Sequence, residues 1–214
     1  MGNTQTGVSE FTNGGVALSP TTGYTGGGTS NYQNNLALDT KGNAWISTAQ
    51  GLALLGPGGV PISPSTGYGT ESGNEVAIDS SGKVWVGVNF THVAAYLPNG
   101  QEYSPVGGFS GGGLQGAVGV AVDGVSHVWL INSDFYQQPK HVGALSEFAG
   151  DGTALSGSTG YATAGTGATG LAIDSAGNIW WPGVGTLYKC IGVAAPVATP
   201  ISVATKNSQL GARP

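Results

Sequence analysis

Charge is what this sequence lacks most. Lys and Arg number 6 and Asp and Glu 11 among 214 residues, for a net charge of −5. No basic stripe exists to neutralise phosphates, so nucleic acid is not expected as a partner. Cysteine occurs once, as Cys190, which excludes an internal disulfide and leaves the redox compartment undecided. In a strand such a residue acts as a small apolar side chain. No apolar run approaches the roughly 18 residues of a membrane helix, so no membrane span is expected. Helical periodicity is missing because glycine interrupts every candidate window. A nucleophile elbow, a phosphate-binding loop and paired-cysteine motifs are also lacking. The opening Met1-Gly2-Asn3-Thr4 lacks the charged and apolar regions of a signal peptide. A surface poor in Lys and Glu but rich in Ser, Thr and Gly is nevertheless commoner outside cells. The expectation is an extracellular or cell-surface protein whose leader has been trimmed.

What the sequence does have is a repeat. Leu171-Ala172-Ile173-Asp174-Ser175-Ala176-Gly177-Asn178-Ile179-Trp180 reads as strand, tight polar turn, strand, the signature of a hairpin. The same phrase appears as Leu36 to Trp45, Val76 to Trp85 and Val120 to Trp129. The four tryptophans, at 45, 85, 129 and 180, lie 40, 44 and 51 residues apart. Between these hairpins a second pair of short strands recurs: Val8–Phe11 with Ala17–Pro20, Leu52–Leu55 with Pro61–Pro64, Val93–Tyr96 with Glu102–Pro105, and Leu145–Phe148 with Ala154–Ser156. Four strands every 40–45 residues, roughly, is the period of a β-propeller blade. The 40 glycines, without a collagen period, fit many short strands joined by turns.

With strands labelled A to D from the central channel outward, the Trp hairpin supplies A and B and the second hairpin C and D. The chain then opens on C and D and reaches its last A–B pair at Leu171–Trp180. In a closed ring the opening pair would complete that last blade and remove a free edge. Thr186–Ile191 reads as a competing C strand. Residues 1–192 are thus expected to form the propeller, and 193–214, with Pro196, Pro200 and Pro214, a tail strapped along its surface.

The Ala-Ile-Asp-Ser-x-Gly-Asn-x-Trp phrase, with the Ser-Glu-Phe strand, resembles NHL-repeat propellers, and within these the bacterial streptogramin-lyase-like group. The resemblance covers residues 8 to about 192. It implies an all-β propeller of four visible four-stranded NHL-like blades, where rings of that kind have about six, and so an incomplete or self-assembling ring. It also implies a His/Glu site with Mg²⁺, but no local motif here accepts those residues.

Asp39, Asp79, Asp123 and Asp174 open the four A–B turns. A metal-binding ring is one reading; turn closure is the simpler one, because Asp accepts backbone N–H groups two or more residues on. Gly42, Gly82 and Gly177 then supply the left-handed residue. The tryptophans read as inter-blade packing rather than sugar platforms. Candidate ligand residues lie on the face made by the B–C and D–A connections, where loops break the repeat. They are Glu71, Glu75, Asn89, Phe90, His92, Asp134, Phe135, Tyr136, His141 and Trp181. His92 or His141 beside Glu71 or Glu75 would make a general base or part of a metal site. His127, on the opposite face, reads as solvated. No catalytic residue is assigned. The expected function is a non-enzymatic binding or self-assembling scaffold without a cofactor. The alternatives are a lyase or hydrolase needing Mg²⁺ or Ca²⁺, or a carbohydrate-binding propeller using Phe90, Tyr136 and Trp181. The expected partners are a second copy of the chain, through the terminal strands, and a small molecule, peptide or glycan on the loop face.

Overall fold

The repeated phrases fold as hairpins. In a computed structural model, which describes residues 7–29, 32–89, 91–133, 144–162 and 168–198, the first sheet is β1 (Gln33–Leu38), β2 (Ala44–Thr48) and β3 (Gly51–Leu55). The second is β4 (Gly73–Ile78), β5 (Val84–Val88) and β6 (His92–Tyr96). The third is β7 (Ala117–Val122), β8 (Val128–Asn132), β9 (Ala144–Phe148) and β10 (Tyr161–Ala162). The fourth is β11 (Ala172–Ile173), β12 (Ile179–Gly183) and β13 (Thr186–Cys190). All pairings are antiparallel, and among the described residues the helical content is one 3₁₀ turn, Pro57–Gly59.

Register repeats from sheet to sheet. Ala37 faces Trp45, Ala77 faces Trp85, Ala121 faces Trp129 and Ala172 faces Trp180. An irregularity recurs near the start of β1, β4 and β7. There Asn34 donates to the Gly73 carbonyl at 2.5 Å and Asn74 to the Ala117 carbonyl at 3.0 Å, so A strands of successive blades are stitched side by side.

Each of the four turns is closed by its aspartate. Asp39 Oδ1 accepts the Lys41 and Asn43 amides, Asp79 Oδ1 those of Ser81 and Lys83, Asp123 Oδ1 those of Val125 and His127, and Asp174 Oδ1 those of Ala176 and Asn178. The second oxygen takes the indole N–H of the following Trp, at 3.4, 3.0, 3.1 and 2.8 Å for Trp45, Trp85, Trp129 and Trp180. One carboxylate therefore fixes both the turn and the side chain that fills the next interface. In the third turn Ser126 takes the left-handed position, at φ 65°, that glycine holds elsewhere.

The core is the set of faces between successive sheets. Trp45, Leu52 and Leu54 of the first sheet pack on Val76, Val84, Val86 and Tyr96 of the second. Trp85, Val93 and Ala95 pack on Val120, Val128, Leu130 and Phe148 of the third. Trp129, Ile131 and Leu145 pack on Ile179 and Trp181 of the fourth. Each interior Trp is fully buried, which supplies several kcal/mol of apolar transfer per interface, on the order of 25 cal/mol per Å² removed from water.

One expectation is corrected. The blades are not all four-stranded: among the described residues only the third sheet has a regular fourth strand, of two residues. Elsewhere the D segment touches strand C at isolated bridges, Leu52 with Tyr68 and Leu55 with Pro61, then Val93 with Phe109 and Tyr96 with Glu102. Prolines 61, 64 and 105 have no N–H to donate, and Gly67 and Gly107 are left-handed, so no continuous ladder can form. The ring is not sealed by the opening strands, in keeping with the incomplete ring expected from the repeat count. β13 holds the C position of the last sheet, while among the described residues Val8–Phe11 bridges only its own following segment, at Tyr24 and Ala17. The Val184–Gly185 connection brings β13 to β12 almost without loop-closure cost, whereas Val8 would have to return from the far end of the chain.

Candidate functional site

On the loop face, Glu71 stands in the connection that enters β4, and Asn89 and Thr91 in the turn between β5 and β6. That turn is tight: Asn89 is left-handed at φ 45° and donates to the Ser72 carbonyl, and Thr91 N–H returns to Val88. It delivers His92 to Glu71, with Nε2 2.7 Å from Oε2. The other ring nitrogen, Nδ1, lies 3.1 Å from the Thr91 hydroxyl. With the proton on Nε2 held by the carboxylate, Nδ1 is left to accept from Thr91. The arrangement can orient an imidazole and take up a proton. Glu71 is exposed and the His92 side chain mostly covered.

Glu75 lies apart from this pair, on A strand β4. Its Oε2 accepts the Val120 amide at 2.9 Å, and a Cβ on Gly119 or Gly170 would stand within 3 Å of its carboxylate. Burial pushes its carboxyl up to about 7, against the Val120 amide, which favours the anion. It ties β4 to β7, with Gly170, just ahead of β11, close to its carboxylate.

Trp181 is the clear correction among the candidates. It is 4% exposed and stacked on Tyr188, with ring centroids 5.7 Å apart, inside the interface between the last two sheets. Since β-strand side chains alternate, Trp180 and Trp181 must point to opposite faces, and only Trp180 points away from the body. Phe90, Asp134, Phe135, Tyr136 and His141 lie outside the described residues. No group of three or more His, Cys, Asp or Glu side chains placed to hold a metal occurs among the described residues.

His127 is not merely solvated. Its Nδ1 is 2.8 Å from Glu147 Oε1, and the other Glu147 oxygen accepts the Tyr161 hydroxyl at 2.6 Å. The cause is register, which sets Glu147 opposite Trp129 and beside the turn.

The site that sequence patterns missed lies at the N-terminal end. Val8–Phe11 and Tyr24 form a C–D half-blade on the back of the first sheet, where Val8 and Tyr24 pack with Ile46, Ala53 and Leu55. Between half-blade and sheet is a hollow of about 370 Å³. At the other end, Trp180 is only partly covered, with the Lys189 ammonium 4.8 Å from its ring centre, and Leu187 beside it is exposed. Past β13 the chain crosses the A–B turns: Gly192 donates to Asn178, Ala194 to Gly177, and Ala195 to Asp123 Oδ2 at 3.0 Å.

Solved structures of similar shape identify the architecture. The computationally designed Ika4 protein matches with a TM-score of 0.54 at 14% identity, over 75% of this chain and 91% of that one. A gluconolactonase from Xanthomonas campestris matches with a TM-score of 0.57 at 15% identity, over 86% of this chain. A streptogramin B lyase gives 0.52 at 13%, over 82% of this chain. The fold is that of a β-propeller. The chain spans 64% of the length of the gluconolactonase and 56% of that of the lyase. No protein-family model and no curated protein matches the sequence. At these identities the propeller likeness speaks for the fold alone.

Proposed function

We propose that this propeller is a non-enzymatic scaffold that works by binding and self-association, outside the cell or at its surface, with NHL-like blades as its building units. The observation that supports this reading is that both ends of the blade row are unsealed and complementary. The N-terminal half-blade has no A–B pair beside it among the described residues, and the last blade leaves its Trp face open. Unpaired strand edges and an uncovered aromatic face are templates for another polypeptide. The low charge leaves few gatekeepers: six Lys and Arg serve the whole chain. Light scattering over a range of concentrations tests the reading. Association from low to high micromolar protein is expected, together with its loss in a form without residues 1–12. A strict monomer throughout would refute it.

The His92–Glu71 contact favours a second reading, a lyase or hydrolase with a divalent ion bound on the loop face. Mass spectrometry of the purified protein decides between the two: stoichiometric Mg²⁺ or Ca²⁺, lost in His92→Ala, would favour the enzyme. The carbohydrate-binding alternative is weakened, because Trp181 belongs to the core.

A further inference from the structure

Three blade interfaces inside the chain are built to one pattern. The strand-B Trp lies against an aromatic of its own D segment, tilted in the first two and stacked in the third: Trp45 on Tyr68 at 5.9 Å, Trp85 on Phe109 at 5.9 Å, Trp129 on Tyr161 at 5.8 Å. In the first two, the aromatic ring rests against a left-handed glycine of the next blade, Tyr68 on Gly100 and Phe109 on Gly152. A fourth instance is split between the two ends of the chain. Tyr24 rests on Gly59 in the same manner but, among the described residues, no Trp lies on it. Trp180 makes the usual bond to its aspartate but has no D-segment aromatic. The space where strands A and B of the half-blade would stand is the 370 Å³ hollow, lined by Val8, Phe11 and Tyr24 on one side and Leu36, Ala44 and Leu55 on the other.

We infer that this hollow receives the Trp180 hairpin of a second copy of the chain. In the joined blade, β11 and β12 of one copy are strands A and B, and Val8–Phe11 of the other replaces β13 as strand C. The inference rests on the scaffold reading above and supplies its partner and register. The interfaces already present in the fold say what fits the hollow, since a Trp on a D-segment aromatic fills the same place three times. The strand itself agrees. Ser9-Glu10-Phe11 repeats Ser146-Glu147-Phe148, the working C strand of the third blade, whereas β13 offers Tyr188-Lys189-Cys190 at those positions. In the joined blade Glu10 stands opposite Trp180 as Glu147 stands opposite Trp129, with Tyr24 in the place of Tyr161. The exchange replaces one short antiparallel strand by another, so ladder hydrogen bonds are conserved while Trp180, Tyr24 and the hollow are buried. Strand exchange of this kind is a low-cost route to association. Two copies joined at both ends give a ring of eight blades, three whole ones from each copy and two composite ones. That lies within the range of about 4–8 blades that propellers adopt. One junction alone leaves an end open for a further copy.

The test is complementation between variants of the whole 214-residue chain. Tyr24→Ala disables the receiving end and Trp180→Ala the donating end, so each variant alone should associate about tenfold or more weakly than the unmodified chain. An equal mixture should recover a dimer in light scattering, because each variant keeps the end that the other lacks. That recovery also shows that both variants are folded. Lys189→Pro, which weakens β13 in the C position, should strengthen association. If the unmodified chain associates but neither aromatic variant weakens it, the strand exchange is wrong and the scaffold reading stands. Failure of the mixture to recover, or weaker association of Lys189→Pro, likewise overturns the exchange alone. A monomeric unmodified chain at high micromolar concentration overturns both.

Discussion

Asp79→Ala tests the idea that one carboxylate holds both a turn and a blade interface. Asp79 is buried and accepts four hydrogen bonds: the Ser81 amide at 2.9 Å, the Ser81 hydroxyl at 2.6 Å, the Lys83 amide at 3.0 Å and Trp85 Nε1 at 3.0 Å. The turn amides lie near the surface and regain water, so their loss resembles that of a cap, about 0.5–2 kcal/mol. Trp85 is fully buried between the second and third blades, and its indole N–H has no water to turn to. An orphaned buried donor costs about 1–3 kcal/mol. The expected total is about 1.5–5 kcal/mol, read as a shift in the urea midpoint followed by Trp fluorescence. Asp39→Ala should cost less, because its bond to Trp45 is already long at 3.4 Å. The acid limb of stability gives an independent check. Burial raises the Asp79 carboxyl, but the hydrogen bonds from Ser81, Trp85 and Lys83 outweigh it and hold the group below its ordinary 3.8. A depressed folded value means a contribution present above about pH 4 and lost as pH falls below it, so the variant's deficit should shrink in acid. Equal losses in Asp39→Ala and Asp79→Ala, or a deficit that persists in acid, would refute the reasoning.

Glu75 should behave in the opposite sense. Its folded value of about 7 lies above its ordinary 4.5, so its contribution is complete below about pH 4.5 and is lost as pH rises through 7. Glu75→Gln should therefore flatten the urea midpoint between about pH 5 and pH 8 and stabilise the protein at the upper end. Ser126→Gly relieves a left-handed non-glycine residue and should raise stability by about 0.5–1 kcal/mol in the same assay. Gly100→Ala puts a methyl group into the Tyr68 ring at a φ of 84° and should lower the melting temperature by several degrees. Asp123→Ala removes the acceptor of the Ala195 amide together with that of the buried Trp129 indole, and hydrogen exchange should lose its protection at the Ala195 amide most and in β8 in part.

The sequence by itself determined the repeated unit. An Asp followed by a Trp six residues later, with glycine or a small polar residue between, determines a closed turn and an alternating strand whose large side chain faces one way. Those are local consequences of side-chain reach and the period of two, and they hold in all four copies. The Asp–indole bond needed one more step, since six residues across a hairpin turn bring the Trp N–H back beside the carboxylate. What only the tertiary structure decided concerns contacts between distant segments. Trp180 and Trp181 are neighbours of the same type, yet one fills a core and the other closes none, because strand alternation sends them to opposite faces and only one face is followed by a blade. Whether Val8–Phe11 or Thr186–Cys190 takes the last C position could not be read from pattern, because both fit it. A two-residue connection decided for β13, since the entropy of closing a short loop is small and that of bringing the two ends of the chain together is large. The hollow beside Tyr24 follows from that choice, being the place that a Trp hairpin fills in every other blade.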